Sequence, residues 1–400
     1  MYRKKSVRDL CVAPGDRALV RVDYNVTFVG DTGQISDDSR IVESLPTIEY
    51  LLERQCRVIL CSHIGRPHGR RDTRYSLTPV ALRLSEIMQR PIALAPDCIG
   101  SEVEAAIADM SPGHILMLEN LRFHIGEESN DGRFARCLAN LADFYVNDGF
   151  GVAHRRHAST AGVTEFLPSV AGFLIESEVN ALDSVIHTPE HPYVIVMGGA
   201  KVSDKVPVID RLADVADVFL VGGGMAASFL CAQGKLDYES GVDMDDVELA
   251  LRVLDRAHVN DVELVLPRDV VVAEVFDESA DPVTAGVDSI PGGHIVMDIG
   301  PETVRAYAQW LQIARTVVWN GPMGVFEWPR FSHGTRALAH AIADLKDAYT
   351  VTGGGSTADV VRSLGLEDGF SHVSTGGGAT LEYLEGRDLP GIAALDDNRN

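Results

Sequence analysis

The 400-residue sequence has no long apolar run and no paired cysteines. No stretch approaches the ~18–20 apolar residues that a membrane helix requires. The basic N-terminal segment MYRKKSVRDL is not followed by the apolar region of a secretory signal. The six cysteines are scattered without a C-x-x-C pair, which favours buried free thiols over a disulfide framework. We therefore expect a cytoplasmic protein.

Positive charge is also scarce. The chain has 35 Lys and Arg residues against 58 Asp and Glu residues, a formal net charge of −23, which argues against nucleic acid or an anionic membrane as a partner. The imbalance is uneven, because residues 1–170 contain 20 basic and 22 acidic residues whereas residues 171–400 contain 15 and 36. Either this is chance variation of the surface, or the first half keeps its basic residues because it binds an anion.

Short β-branched runs alternate with amphipathic stretches along the whole chain. The runs are continuously apolar, which is typical of strands buried on both faces of a parallel sheet. The clearest are Ala18–Val22, Val58–Cys61, Ile115–Leu118, Phe144–Val146, Val194–Met197, Val218–Val221, Val262–Leu266, Thr316–Trp319 and Tyr349–Thr352. Helical patterns between them include Ile41–Arg54, Val247–His258 and Gly334–Leu345. In a chain of this length, the alternation predicts an α/β protein with two domains, each a parallel sheet covered by helices.

The domain boundary is predicted near residues 170–190. Gly172–His187 has the pattern of a helix, and the segment TPEHP (Thr188–Pro192) ends it before the next apolar run. We expect one domain over residues 1–171, a linking helix and hinge over residues 172–190, and a second domain over residues 191–385. The tail, residues 386–400, would be loose or would pack back on the first domain.

Polar and basic side chains follow the predicted strands of the first half. In open α/β sheets, ligands bind beyond the carboxyl ends of the strands. The candidates there are Asp23, Asn25, Arg40, His63, Arg66, Arg122, His154, Arg155 and His157. Any one of them alone would be an ordinary surface or structural residue. Several loops that offer guanidinium or imidazole groups to one edge predict a site for a small, multiply charged anion.

The second half has glycine-rich turns after four predicted strands. These turns are Gly198–Lys201, Gly222–Met225, Gly353–Thr357 and Thr375–Gly378. Glycine lets backbone N–H groups approach phosphate closely, so the set predicts a nucleotide site, although any single turn could be purely structural. The Walker A sequence is absent. Gly222, Gly224 and Ala227 fit the dinucleotide pattern G-x-G-x-x-A, but no acidic partner follows a second strand, which disfavours a dehydrogenase.

These loops and turns closely resemble those of phosphoglycerate kinases. The matching segments are RVDYNV, DDSRI, SHIGRP, LENLRFH, FGVAHRRHAST, GGAKVSDK, GGGMA, WNGPMGVFE and STGGGATLEYLEG. They follow the family's order along nearly the whole chain. The resemblance implies two Rossmann-like domains joined by a helix and hinge, with the C-terminal tail on the first domain. It also implies a monomer that transfers a phosphoryl group reversibly between ATP, with Mg²⁺, and the carboxylate of 3-phosphoglycerate, giving 1,3-bisphosphoglycerate and ADP.

The resemblance also assigns roles to residues of this sequence. It implies a phosphoglycerate site at Asp23, Asn25, Arg40, His63, Arg66, Arg122 and Arg155. It implies a nucleotide site at Lys205, Gly222, Gly223, Asn320, Glu327, Gly353, Gly354, Gly355, Ser356, Thr357, Gly376 and Gly377. Glu327 would hold the ribose hydroxyls, and Arg40 and Lys201 would face the transferring phosphoryl group. The acceptor is already an ionised carboxylate, so positioning and electrostatics would supply most of the catalysis without a general base.

The sequence departs from the family at the expected metal site. Ser356 stands where the family normally has an aspartate that helps hold the metal. Its hydroxyl can cap a helix but offers Mg²⁺ no carboxylate. Asp359 would either complete a capping box with Ser356 or replace the missing ligand, so the metal ligand stays open.

Smaller departures lie near the acid site. They are Thr27, Ile125, Gly149, Val152 and Arg156, and Arg156 adds a charge there. Three hypotheses follow. The first is an active phosphoglycerate kinase. The second is a divergent paralogue that phosphorylates another anionic carboxylate, and the third is a homologue that binds a nucleotide or metabolite with weakened or lost catalysis.

Overall fold

The computed structural model describes residues 4–30, 33–237 and 240–398. The chain divides into two compact units, one comprising Met1–Asn180 with Asp388–Asn400 and the other Ala181–Arg387. Each unit contains a six-stranded parallel sheet with helices between its strands, which confirms the predicted fold class. Among the described residues, no helix is both long enough and apolar enough to cross a membrane.

The first unit is built on six strands that all run parallel. In chain order its elements are β1 (Arg17–Arg21), α1 (Ser39–Val42), α2 (Leu45–Glu53), β2 (Arg57–Cys61), α3 (Thr78–Met88), β3 (Ala93–Leu94), α4 (Ser101–Ala108), β4 (Ile115–Met117), α5 (Ile125–Glu128), α6 (Gly132–Ala139), β5 (Phe144–Asn147) and β6 (Ser169–Ala171). Helix α7 (Phe173–His187) then runs through the boundary between the units. The strand order is β3-β4-β2-β1-β5-β6.

Continuous apolar runs form the centre of this sheet because both of its faces are covered. Four of the five residues in β1 and in β2 are buried. Val20, Leu60 and Val146 from three adjacent strands lie in one core with Ile48 and Leu51 of α2. Burial on both faces explains why these strands show no polar alternation.

The predicted helix over Ile41–Arg54 is wrong as a single element. The structure divides it into α1 and α2, with Ser44 between them. Pro46 stands in the first turn of α2, where its missing N–H is tolerated, but it cannot donate to the carbonyl of Val42 as a continuous helix would require. The proline therefore ends one helix and begins the next.

The C-terminal segment packs on the β6 edge of the first sheet. The backbone N–H of Ala171 in β6 donates to Lys5 (2.9 Å), and the N–H of Lys5 donates to Asp396 (2.8 Å). Beside the short helix Pro390–Ala393, the side chain of Asn147 donates to the carbonyl of Gly391 (2.8 Å). The N–H of Gly391 in turn donates to Ala153 (2.8 Å). The tail thus covers a sheet edge and supports the loop that follows β5.

The second unit contains a parallel sheet and a smaller antiparallel one. In chain order its elements are β7 (Tyr193–Met197), α8 (Val206–Leu212), β8 (Val218–Val221), α9 (Met225–Ala232), α10 (Met244–Val259), β9 (Glu263–Val265), β10 (Asp269–Ala273), β11 (Val283–Gly286), β12 (Ile295–Ile299), α11 (Pro301–Ile313), β13 (Thr316–Asn320), α12 (His333–Ala343), β14 (Tyr349–Gly353), α13 (Gly355–Ser363), β15 (His372–Val373) and α14 (Gly378–Leu384). The parallel order is β15-β14-β13-β7-β8-β9, and the antiparallel order is β11-β10-β12.

The antiparallel sheet was not predicted. Val270 and Val272 of β10 and Val296 of β12 bury their side chains against Leu230 of α9, whereas β11 is mostly exposed. β10 contains a short continuous apolar run, Val270–Ala273, that was not among the predicted strands, whereas β11 has no such run. The sheet therefore depends on contacts with α9 that local sequence does not report.

We expect a pH-dependent contribution to stability from Asp148, which is fully buried beneath the first turn of α7. Its Oδ1 accepts the N–H of Leu174 (2.9 Å), and burial raises its pKa to about 7. A carboxyl whose folded-state pKa is raised stabilises the fold at low pH, and this contribution is lost as the pH rises from about 4 to about 7. Asp148→Asn removes that titration.

Urea unfolding at pH 5 and pH 8 measures the effect. Relative to the parent, Asp148→Asn should gain on the order of 2 kcal/mol in the free energy of unfolding between the two pH values. The control Asp109→Asn changes an exposed carboxylate and should show no comparable gain. If the free energies of unfolding of Asp148→Asn and the parent differ by the same amount at both pH values, the assignment of this titration to Asp148 is contradicted.

Candidate functional site

The carboxyl ends of β1, β2 and β5 lie level with one another. The parallel register pairs Arg21 with Cys61 on one side and with Asn147 on the other. The loops that follow these strands therefore begin at the same edge of the sheet, where the sequence predicted an anion site. Arg21 itself ends β1 and is only 1% exposed. Sequence analysis missed it, although a charged residue that ends a buried apolar run is a usable signal.

Asp23, Arg40 and His63 meet at this edge. Arg40 forms an ion pair with Asp23, and Nδ1 of His63 lies 3.8 Å from the same carboxylate. The Nδ1 atom also lies 3.2 Å from Nη2 of Arg21. A β-carbon at Gly151 would come within 2.4 Å of Asp23, so the glycine leaves room for this carboxylate. The structure thus brings together three of the predicted residues.

Asn25 and Arg122 hold the loop that follows β2. Asn25 accepts the N–H of Gly65 (2.9 Å), and Nη1 of Arg122 donates to the carbonyl of the same glycine (2.7 Å). Gly65 has a φ of +61°, and a β-carbon there would lie 2.4 Å from the ring of Tyr75. A glycine is therefore required at this turn. Arg66, the next residue, is exposed.

Positive charge dominates the electrostatics of this cluster. His63 is 2% exposed, and burial together with the charges of Arg21, Arg122, Arg155 and His157 holds its pKa well below the ordinary value. Burial and the charge of Arg155 likewise lower the pKa of Arg122 to about 10. The part of these shifts that comes from neighbouring positive charge would favour an additional negative charge at this edge.

A buried glutamate connects these cations. Glu127 accepts hydrogen bonds from the hydroxyl (2.6 Å) and the N–H (3.0 Å) of Ser159, and it lies 3.6 Å from His157. Ser159 in turn accepts from Arg21 (2.9 Å). Burial favours the neutral acid, but His157, Arg21 and Ser159 hold the pKa of Glu127 below its ordinary value. Sequence analysis missed Glu127 and Ser159 because neither directly follows a strand.

In the second unit, the first two glycine turns and the loop that follows β13 contact one another through their backbones. The N–H of Gly199 donates to Pro322 (3.1 Å), and the N–H of Gly223 donates to Met323 (2.8 Å). A β-carbon at Gly223 would lie 2.6 Å from the backbone of Gly199. One at Gly321 would lie 2.3 Å from the carbonyl oxygen of Gly198. These glycines are required for close backbone packing, so the structural explanation that the sequence left open holds for them.

Lys205 and Asn320 form a buried pair beside these turns. The ammonium of Lys205 donates to Oδ1 of Asn320, and Nδ2 of Asn320 donates to the carbonyl of Gly353 (2.9 Å). Burial lowers the pKa of Lys205 to about 8, although Asp204 and Glu385 act in the opposite direction. The pair places a partly desolvated cation at the ends of β7, β13 and β14.

Helix α13 begins next to this pair. Gly354 is its N-cap, with a φ of +98°, and therefore provides no side-chain hydrogen bond to the first N–H groups. The expected capping roles of Ser356 and Asp359 are therefore wrong, because the helix starts one residue before Ser356. Asp359 is exposed and lies 3.8 Å from Arg362 of the same helix. The uncapped N–H groups suit an anionic ligand.

The remaining candidates differ in exposure. Lys201, Glu327, Gly355 and Ser356 are exposed. Buried positions are Gly222, Gly353, Gly354, Thr357 and Gly376. Gly377 has a φ of +52°, and a β-carbon there would lie 3.9 Å from the backbone N of Gly355, so the third and fourth glycine turns also lie close together.

The comparisons with known proteins agree with one another. A family model described as phosphoglycerate kinase matches residues 7–387. The phosphoglycerate kinase of Moorella thermoacetica is 51% identical over 95% of this chain and 96% of its own length. That of Microcystis aeruginosa is 51% identical over 98% and 99%, respectively. The solved phosphoglycerate kinase from Coxiella burnetii is 39% identical, with a TM-score of 0.86 and 98% of each chain covered.

The chain belongs to the phosphoglycerate kinase family. It is therefore an ATP-dependent phosphotransferase whose acceptor is a carboxyl group, which confirms the resemblance found in the sequence. The two alternatives, a divergent paralogue and a homologue without catalysis, are not favoured, because relatives near 50% identity over nearly the full length are phosphoglycerate kinases.

Replacement of Thr357 should destabilise the second unit. Its buried hydroxyl accepts the N–H of Gly321 (2.7 Å) and donates to the carbonyl of Gly353 (3.2 Å). Thr357→Val keeps the shape but leaves that buried N–H without a partner, which should cost about 1–3 kcal/mol. Thr357→Ser retains the hydroxyl and is the matched control. Urea unfolding followed by tryptophan fluorescence measures both variants, and equal stability of the two would refute the role of the hydroxyl.

Proposed function

We propose that this chain is an active phosphoglycerate kinase that transfers a phosphoryl group reversibly between MgATP and the carboxylate of 3-phosphoglycerate. The observation that carries the proposal is the cluster of cations around His63 in the first unit. Burial lowers the pKa of His63, and the charges of Arg21, Arg122, Arg155 and His157 lower it further. Such a concentration of positive charge in a protein with a net charge of −23 suits a substrate that bears both a phosphate and a carboxylate.

The acid substrate is assigned to the first unit. Its proposed ligands are Asp23, Asn25, Arg40, His63, Arg66, Arg122 and Arg155. Guanidinium groups can bind phosphate oxygens in a bidentate manner, and exposed Arg66 is free to reach a ligand without a rearrangement of the core. His63, kept neutral at pH 7 by its surroundings, would act as a hydrogen-bonding group rather than as a cation.

The nucleotide is assigned to the second unit. Its phosphates would lie near Lys205 and the uncapped N-terminus of α13, while exposed Glu327 would bind the ribose hydroxyls. The further ligands are Gly222, Gly223, Asn320, Gly353, Gly354, Gly355, Ser356, Thr357, Gly376 and Gly377. Lys205 pairs with a neutral amide rather than a carboxylate, so its charge remains available for phosphate.

Magnesium would enter as part of the nucleotide substrate. At the start of α13, Ser356 offers one neutral oxygen, and Asp359 lies four residues into the helix near Arg362. This donor set fits an ion held mainly by nucleotide phosphates and water, which is the usual mode for Mg²⁺. When bound, the ion neutralises phosphate charge.

The mechanism requires alignment of the two substrates more than chemical activation. Because the acceptor is an ionised carboxylate, no proton has to be removed, and Arg40 and Lys201 would stabilise the charge on the transferring phosphoryl group. We propose that a hinge within residues 172–190 allows closure, which aligns the reacting atoms and excludes water. We also propose that the enzyme is monomeric and cytoplasmic.

A coupled assay with ATP and 3-phosphoglycerate across a Mg²⁺ titration tests the proposed function. We expect Mg²⁺-dependent turnover and a higher kcat/KM for 3-phosphoglycerate than for other phosphorylated or phosphonylated carboxylates. A folded sample that binds ATP without turning over 3-phosphoglycerate at any Mg²⁺ concentration would refute the proposal.

Arg66→Gln should weaken the acid substrate selectively. Arg66 is exposed, so its removal leaves the core intact, whereas loss of one charge-assisted hydrogen bond should raise the KM for 3-phosphoglycerate about tenfold or more. The KM for ATP should change little. Arg90→Gln, another exposed arginine of the first unit, controls for the loss of net charge. If both variants raise the KM for 3-phosphoglycerate equally, the effect comes from the loss of positive charge in general and not from a specific contact between Arg66 and the substrate.

Ser356→Asp should strengthen the use of Mg²⁺. The side chain is exposed in the first turn of α13, where a carboxylate is tolerated by the helix dipole and can bind the ion. We expect half-maximal activity at a several-fold lower Mg²⁺ concentration or a higher kcat. Ser356→Asn matches the size without the charge and should show neither gain. An unchanged or weaker response of the aspartate variant would mean that the site is already adapted to serine.

A further inference from the structure

Three different potential metal ligands lie together in the first unit. Asp97, Cys98 and His124 each offer a ligand atom, and these atoms all lie within 4.8 Å of one another. Oδ1 of Asp97 is 2.6 Å from Nε2 of His124, and Sγ of Cys98 donates to the carbonyl of Glu119 (2.9 Å). The cluster connects the segment after β3 with the loop after β4.

We propose that Asp97, Cys98 and His124 bind a thiophilic divalent cation of the Zn²⁺ class. Thiolate, imidazole and carboxylate are the ligand types that Zn²⁺ uses in proteins, whereas Mg²⁺ prefers oxygen ligands alone. The site is therefore chemically distinct from one for MgATP. Three protein ligands leave a fourth position for water or another donor.

The spacing of the three residues is compatible with this role. Tetrahedral Zn²⁺ with ordinary bond lengths needs its ligand atoms about 3.3–3.6 Å apart. The three atoms here are separated by distances from 2.6 Å to at most 4.8 Å. The range brackets the required value, and the proposal requires side-chain rotations that bring all three distances to it. Asp97 and His124 are partly exposed while Cys98 is fully buried, so an ion would reach the two outer ligands first.

Neighbouring residues hold both the ring of His124 and the backbone that faces Cys98 in place. The ring of His124 stacks on Phe134 with 4.9 Å between the ring centroids. The carboxylate of Glu119 accepts the N–H groups of Leu77 (2.9 Å) and Asn120 (2.8 Å) and so holds the backbone whose carbonyl faces Cys98. Preorganised ligands of this kind lose little conformational freedom when a metal binds.

A simpler explanation of the cluster, without a metal, has to be distinguished from the proposed site by experiment. Asp97 and His124 would form only an ion pair, and Cys98 would be only a core thiol with a hydrogen bond to the backbone. That explanation predicts no specific cobalt or zinc binding. It also predicts that replacement of one member leaves metal affinity unchanged.

Titration of the full-length protein with Co²⁺ tests the site, because a cobalt–thiolate bond gives a near-ultraviolet charge-transfer absorption. The exposed thiols Cys11 and Cys137 are first replaced by serine so that they cannot bind metal. In this background we expect one Co²⁺ per chain, displaced by equimolar Zn²⁺ but not by a large excess of Mg²⁺. Cys98→Ser keeps a hydrogen-bond donor to Glu119 and should abolish the charge-transfer band.

A second variant keeps the test informative if Cys98→Ser fails to fold. His124→Gln changes a partly exposed side chain and should weaken Zn²⁺ affinity at least tenfold, as measured by equilibrium dialysis with metal analysis. Cys231→Ser, a buried thiol of the second unit, is the matched control and should leave the affinity and the band unchanged. Absence of the band in the background protein, or equal Zn²⁺ affinity for His124→Gln and the control, would overturn the proposal.

Discussion

The group of cations at the carboxyl ends of β1, β2 and β5 depends on one buried carboxylate. Glu127 has no exposed surface and lies among Ser159, His157 and the charge of Arg21. Without an internal counter-charge, the guanidinium groups that converge on this edge would repel one another in a region of low dielectric constant. Burial is the main cause of the lowered pKa of His63, and the charges of Arg21, Arg122, Arg155 and His157 add to it. Positive charge at this edge suits the anionic substrate that we propose for the first unit.

The second unit uses a different constraint, the approach of backbone to backbone. A β-carbon at Gly198, Gly223 or Gly321 would collide with a neighbouring main-chain atom, because the backbones of these turns approach one another closely. This packing holds the ends of β7, β8 and β13 together. The positive groups near these turns are the ammonium of Lys205 and the N–H groups at the start of α13. The unit thus combines a neutral backbone scaffold with localised positive groups.

The sequence predicted the parallel sheets well because burial on both faces leaves a continuous apolar run. All nine predicted strands correspond to strands of the structure, among them Val58–Cys61 at β2 and Val194–Met197 at β7. Predictions failed where tertiary contacts decide. The antiparallel sheet depends on α9, and Pro46 divides a helical pattern that is otherwise continuous. The start of α13 is set by the left-handed conformation of Gly354, which local capping patterns did not indicate.

The candidate site also contains residues that could be predicted from the sequence and residues that could not. Residues that directly follow strands, such as Asp23 and His63, could be named from the sequence because the topology brings strand ends to one edge. Glu127 and Ser159 could not, because they come from a short helix and a loop whose approach to Arg21 is a product of folding. Asp97, Cys98 and His124 are likewise separated along the chain and become a cluster only in three dimensions.

The path of the C-terminal tail has a consequence for biosynthesis. Gly391 contacts Asn147 and Ala153, and Asp396 contacts Lys5 and Ser169, so the loop that precedes Arg155 is supported by residues translated after the whole of the second unit. All residues of the second unit, Ala181–Arg387, are synthesised before the C-terminal segment of the first unit. The first unit, although most of its sequence is synthesised earlier, obtains these edge contacts only after the second unit has been translated. The order of synthesis and the order of completion are thus reversed, and the unit proposed to bind the acid is finished last.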